Sequence, residues 1–275
     1  MRLFLLIALT MIAFAANSVL NRLALAEGQI GPAGFGLIRL ASGALALAAL
    51  VWWRHGRPVL LAEVTAVSVA ALALYVLGFS YAYVSLDAGL GALLLFGGVQ
   101  VTMFAGALAM REPVPPRRWL GAALAFGGLV WLFGAPSTGA PLAMALMVAA
   151  ALGWGVYSLI GRRVADPLAA TAANFALATP VALTAVLIRP DALPVTGAGA
   201  GLAVISGVVT SGLGYALWYQ VLPLIASSMA AVAQLTVPVI AMAGGAVLLG
   251  ERVTPAMLIA AALVLGGVGL SAFRR

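Results

Sequence analysis

The chain has no cysteine, one histidine and only seven acidic residues in 275. Without a thiol there is no disulfide framework, no thiolate nucleophile and no zinc–thiolate site. The carboxylates Glu27, Glu63, Asp87, Glu112, Asp166, Asp191 and Glu251 all stand between apolar runs or at their ends. None lies near the middle of a run, where a proton-coupled exporter of cations would place one to hold its cargo and exchange it for a proton. Cationic cargo is therefore disfavoured, and proton coupling has no evident carrier. Charged residues make up 8% of the chain against 64% hydrophobic ones, and mean hydropathy is +1.16, outside the range of water-soluble domains.

What is present is a series of long apolar runs. A membrane span needs roughly 20 mainly apolar residues, and ten such runs occur: 3–26, 32–53, 63–84, 87–110, 118–134, 141–161, 168–188, 198–222, 226–249 and 255–273. Lipid-facing backbone must satisfy its own hydrogen bonds, so continuous runs predict helices, and alternating β-barrel strands are excluded by pattern. Glycine, 32 residues of it, suits helices that approach closely. With the N-terminus cytoplasmic, Arg2, Arg54, Arg57, Arg111, Arg117, Arg118, Arg162, Arg163, Arg274 and Arg275 lie inside, and only Arg22, Arg189 and Arg252 outside. That bias predicts both termini inside. It also explains the net charge of +7 without nucleic acid.

The chain repeats itself. REPVPPRRWLGAALAFGGL at 111–129 returns as GERVTPAMLIAAALVLGGV at 250–268, with Glu112 over Glu251 and Pro116 over Pro255. Phe14, Ser18 and Arg22 likewise meet Trp154, Ser158 and Arg162, and Tyr75 and Phe79 meet Tyr215 and Tyr219. Five spans separate each pair, so the copies face opposite sides of the membrane. The expected architecture is all-α and integral to the membrane: ten helices in two inverted five-helix repeats, 1–139 and 140–275, around a central cavity. Such halves can expose one site alternately to either side. MRLFLLIALTMIAFAANS has the look of a secretory signal, but its pairing with 141–161 predicts that it stays as the first helix. Fused halves make a functional monomer the expectation.

These features resemble the drug/metabolite transporter superfamily, in particular its EamA-type exporters. The Glu-x-x-x-Pro turn before a Gly-Gly helix and the Tyr-Val-Ser near the end of the third span carry the likeness. The aromatic residues make the chain similar to YddG-type exporters of aromatic and other neutral amino acids. The resemblance implies ten helices around a central cavity in a bacterial inner membrane, with no cofactor and no catalysis.

The residues themselves nominate a site. Trp154, Tyr157 and Ser158 share one helical face at i, i+3 and i+4. Phe14, Asn17 and Ser18 come from the first span; Tyr75 and Phe79 form a pair echoed by Tyr215 and Tyr219. Gln100, Asn174 and Gln234 are polar within spans and should face the interior. The expected substrate site is Trp154, Tyr75, Phe79, Tyr215, Asn17, Tyr157, Gln234, Phe14 and Tyr219, set against the alternatives of packing and interface belts. Arg39, Pro238, Glu112 and Glu251 are structural or gating candidates. Arg39 is expected mainly to snorkel to outer headgroups or pair with Glu27, and less readily to meet a substrate carboxylate. Pro238 is expected to kink the ninth span, and His55 to be a solvated loop residue. GLGYAL and GAGAG lack the strand and acidic residue of a nucleotide fingerprint, and no metal cluster or nucleophile–base pair appears, so an enzyme is not expected.

The predicted function is export of small amphipathic metabolites, neutral and aromatic amino acids first, by facilitated diffusion. One alternative is export of purines, nucleosides or hydrophobic drugs. The other is a non-transporting membrane scaffold or lipid-interaction protein, which would pack Trp154, Tyr75 and Tyr215 together without a cavity.

Overall fold

The computed structural model describes residues 2–56, 63–111, 114–134, 140–162, 164–221, 224–225 and 233–272. Glu112 lies outside these, as do 226–232 at the start of the expected ninth span. The described residues form α1 (Arg2–Ala26), α2 (Pro32–His55), α3 (Ala66–Tyr83), α4 (Ala88–Ala109), α5 (Pro116–Gly134), α6 (Pro141–Gly161) and α7 (Pro167–Ile188). There follow α8 (Gly197–Val221), α9 (Thr236–Leu249) and α10 (Pro255–Ala272). No strand occurs among them. Seven helices, α1 to α4 and α6 to α8, are long and apolar enough to cross a membrane; α9 and the stretch Pro255–Leu270 of α10 are apolar but shorter.

The sequence sets the helix ends directly. Five helices, α2, α5, α6, α7 and α10, open on a proline, whose missing N–H costs nothing in a first turn. Thr65 and Ser68 cap α3 reciprocally, and the Asp166 and Thr196 side chains accept from the Ala169 and Gly199 N–H groups to cap α7 and α8. Gly250 ends α9 in the left-handed region at φ 67°, where a side chain would be strained. Large apolar side chains such as Leu45, Leu142 and Val247 are exposed on the outer surface, as lipid contact requires.

Helices pair mainly as α5 with α10, α3 with α6, α2 with α7, α2 with α8, α1 with α8, α4 with α6, α4 with α9, α1 with α9, and α3 with α7. Adding five to each member of these pairs returns a pair in the same set. The connections also meet selectively. The Asp191 carboxylate, between α7 and α8, accepts from the Ala33 and Gly34 N–H groups at the start of α2. The Glu251 carboxylate, between α9 and α10, accepts from the Ala88 N–H at the start of α4. On the other face, the Glu63 carboxylate between α2 and α3 accepts from the Ala165 and Asp166 N–H groups between α6 and α7. His55 is exposed, as expected of a solvated residue, and also lies 3.4 Å from Asp166. Odd-numbered connections thus meet odd and even meet even.

Close crossings depend on glycine. A Cβ on Gly207 of α8 would lie 2.3 Å from the Arg39 carbonyl oxygen of α2, and one on Gly153 of α6 would lie 2.6 Å from the Ala71 carbonyl oxygen of α3. In the Gly-Gly pair of α10 the two members differ: a Cβ on Gly267 would lie 2.4 Å from the Gly121 carbonyl oxygen of α5, while Gly266 faces open space. Gly267→Ala is therefore expected to destabilise the protein by about 1–3 kcal/mol, the usual cost of overpacking. Gly266→Ala should unfold at the wild-type temperature or slightly above. Thermal unfolding of both variants in the same detergent checks this; equal behaviour would refute the α5–α10 contact.

Candidate substrate site

Five helices meet at the centre. α3 supplies Tyr75 and Phe79, α6 supplies Trp154, α8 supplies Thr210 and Tyr215, and α1 supplies Phe14, Asn17 and Ser18; with Leu95 and Phe96 of α4 they line one void. Its volume is about 20 Å³, room for about one water molecule. The rings touch: Tyr75 to Trp154 at 4.9 Å between centroids, Trp154 to Tyr215 at 5.0 Å, Tyr75 to Phe79 at 5.4 Å and Phe14 to Tyr215 at 5.9 Å. This ring contact is what the scaffold alternative required. Two features oppose that alternative. The void persists between the rings, and the Ser18 and Tyr215 hydroxyls that line it are buried with no hydrogen-bond partner. A core packed only for stability would satisfy such groups.

A polar network adjoins the rings. The Ser206 and Thr210 hydroxyls of α8 donate to Asn17 Oδ1 at 2.7 and 3.0 Å, and Asn21 Nδ2 donates to the Asn17 carbonyl oxygen at 2.9 Å. The Ser80 hydroxyl of α3 donates to Asn21 Oδ1 at 3.3 Å, joining a third helix. Ser206, Thr210 and Ser211 belong to an eight-residue π-helical segment, Ser206–Leu213, within α8. Thr210 turns to α1 and Ser211 to α2.

Arg39 departs from expectation. It is fully buried, 0% exposed, and neither snorkels outward nor reaches Glu27, whose carboxylate is held by the Gln29 side chain. Arg39 Nε donates to Ser211 Oγ at 3.0 Å and Nη2 to the Tyr75 hydroxyl at 3.1 Å, while Nη1 has no partner. The guanidinium carbon lies 5.2 and 5.3 Å from the Tyr75 and Phe79 ring centroids, within cation–π range. The inward course has a local cause. Gly207 lets α8 sit against the Arg39 backbone, and Ser211, one turn on, offers the acceptor.

The other nominated residues divide. Tyr157 and Tyr219 line a second void of about 10 Å³ with Ser68, Thr171 and Asn174 on the Glu63 side, where the Tyr157 hydroxyl donates to Thr171 Oγ1 at 3.2 Å. Gln234 is half-buried and lines neither void. Pro238 sits in the first turn of α9, and the helical run breaks at Leu235, where Pro238 cannot donate to the Gln234 carbonyl. Ser206, Thr210, Ser211 and Ser80 were not singled out from sequence. The three hydroxyls within SGVVTSGL are the available signal; two of them face Asn17 and the third faces Arg39.

The Glu251 face carries a charged network. Arg22 Nε donates to Glu251 Oε1 at 3.1 Å, and Arg22 Nη1 donates to the Tyr83 and Val84 carbonyl oxygens at 3.2 and 3.0 Å. Asp87 lies 3.6 Å from Nη2. Burial raises the Glu251 carboxyl above its ordinary value, aided by neighbouring Asp87, against the lowering effects of the Ala88 N–H and Arg22.

Family models and known proteins place this architecture. The model of the EamA-like transporter family matches residues 1–134 and again 141–273. An uncharacterized protein of Pseudomonas aeruginosa is 46% identical over 270 residues, covering 98% of this chain and 94% of that one. A protein of Salmonella typhimurium named "Probable amino-acid metabolite efflux pump" is 27% identical over 209 residues, 68% of each chain. A protein known from its crystal structure shares the fold at TM-score 0.67 and 20% identity, over 96% of this chain and 95% of the other. The chain belongs to the EamA-like transporter family. It is a multi-pass membrane transporter and not an enzyme.

The raised Glu251 carboxyl fixes a sign. A folded protein that holds this proton more tightly than the unfolded chain loses stability as pH rises from the ordinary value of 4.5 through the raised one. Thermal unfolding across that window should show the loss in the wild type. Glu251→Gln, which cannot ionise, should remove that step from the profile. Identical pH profiles for the two proteins would show that Glu251 contributes nothing to it.

Proposed function

We propose that this transporter exports small amphipathic metabolites, neutral and aromatic amino acids foremost, across a bacterial inner membrane by alternating access. Ten helices cross the bilayer with both termini cytoplasmic, as inverted repeats 1–139 and 140–275. The parity of the connection contacts supports the ten crossings, because odd connections share one face and even connections the other. The arginine bias places the Glu63 face inside and the Glu251 face outside. The fivefold shift that relates helix pairs, and the double match of the family model, support the repeat.

The observation that carries the substrate reading is the void ringed by Tyr75, Phe79, Trp154 and Tyr215 and edged by Asn17 and two unpartnered hydroxyls. Such a site has apolar walls for a side chain and a polar rim for a charged end. At about 20 Å³ it is contracted, so the rings must part to admit cargo. The Arg22–Glu251 network closes the outer face in this state. In the sequence repeat, Arg22 and Glu251 align with Arg162 and Glu112. The name of the Salmonella relative points to the same class of substrate. With no carboxylate near mid-membrane to carry a proton, facilitated diffusion is the mechanism.

Purified protein in liposomes tests this with labelled tryptophan, threonine and adenosine. Amino-acid flux down its gradient, unaffected by a protonophore and reduced at least tenfold in Trp154→Ala, is the expected result; a tenfold loss corresponds to about 1.4 kcal/mol. Adenosine flux without amino-acid flux would favour nucleoside export, and no flux of any of the three would favour the scaffold.

A further inference from the structure

We infer that Arg39 is the recognition element for a carboxylate, so that the central site selects apolar monocarboxylates and does not read the amino group. The inference rests on the central void being the substrate site and names what that site grips.

A buried charge without an opposite charge is costly, and a mid-membrane arginine is ordinarily paired. Arg39 is fully buried, and among the described residues no carboxylate forms an ion pair with it. Its neighbours are neutral: Ser211 holds Nε, the Tyr75 hydroxyl holds Nη2, and two rings lie alongside. Nη1 is free. With Nε anchored on α8, the two terminal nitrogens form the edge that meets a carboxylate end-on, through two parallel N–H···O bonds. One of these nitrogens is unoccupied. The other is held by a phenol whose ring lines the void, so cargo that pushes Tyr75 aside takes its place at the guanidinium.

Nothing comparable awaits an ammonium. No acidic residue is among those lining the void. Asn17 Oδ1, the obvious acceptor, already takes the Ser206 and Thr210 hydroxyls. The void therefore offers the Ser18 and Tyr215 hydroxyls and aromatic walls, and the guanidinium stands behind the Tyr75 hydroxyl. An aryl or branched-chain acid without its amino group, including the 2-oxo acids, should bind as well as the amino acid.

Calorimetric binding to the full-length protein in detergent tests this with phenylalanine, 3-phenylpropionate and phenethylamine, three ligands with the same ring. Phenylalanine and 3-phenylpropionate should bind with similar affinity and phenethylamine should not. Arg39→Gln should weaken 3-phenylpropionate by about 10- to 100-fold, the range for loss of a charge-assisted hydrogen bond. Should Arg39→Gln fail to fold, Ser211→Ala, which releases only Nε, should weaken the acid and leave the unfolding temperature near that of the wild type. Phenethylamine binding as tightly as the acid, or no binding of the acid, overturns the inference. Phenylalanine flux with that pattern leaves the amino-acid reading intact. Conversely, binding of 3-phenylpropionate without any phenylalanine binding or flux retains the carboxylate site and removes the amino-acid reading.

Discussion

A guanidinium buried where helices cross, with no carboxylate paired to it among the described residues, sets the terms for the centre of this protein. Lipid cannot solvate Arg39, and the described residues offer it no ion pair. What remains is hydroxyl and π-face, and the surrounding structure supplies both. α8 approaches α2 closely enough for Ser211 to accept from Nε because Gly207 has no side chain to hold the backbones apart. α3 brings Tyr75 and Phe79 under the charge. Thr210 and Ser211, consecutive in the π segment of α8, reach α1 and α2 respectively.

Much of the frame was legible because it is written in one dimension. Run length, prolines at first turns and glycines at last turns do not depend on which helix is next to which, and the described helices begin and end within a few residues of where those signals fall, apart from the start of the ninth span, of which 226–232 lie outside the described residues. The proposed repeat rests on a similar ground, since offset is a property of the string. Facing is not. Depth placed Arg39 within the second span, but its direction depends on the closeness of α8, which the sequence shows only as a small-residue stretch. Tyr157 was misplaced by a related shortfall. It shares a helical face with Trp154, yet three residues advance about 4.5 Å along the axis, enough to move it into the next layer with Thr171 and Tyr219.

The charged network on the Glu251 face is physically continuous with this centre. Arg22 grips the carbonyl oxygens of Tyr83 and Val84 at the end of α3, and Glu251 ties Arg22 to the start of α4. The Tyr83 ring stands edge-on to Phe79 at 4.6 Å, and Phe79 in turn touches Tyr75 at 5.4 Å. One helix thus carries, in successive turns, the residue held by the surface network, the ring beneath it and the phenol that occupies Arg39. Packed rings do not deform gradually; they shift between arrangements. Opening the Glu251 face requires releasing Arg22 from the end of α3, and once that end moves, Phe79 and Tyr75 must repack against Trp154. In the cycle proposed above, the step that opens the Glu251 face would also draw the Tyr75 hydroxyl off the guanidinium, joining access and recognition in one movement of α3.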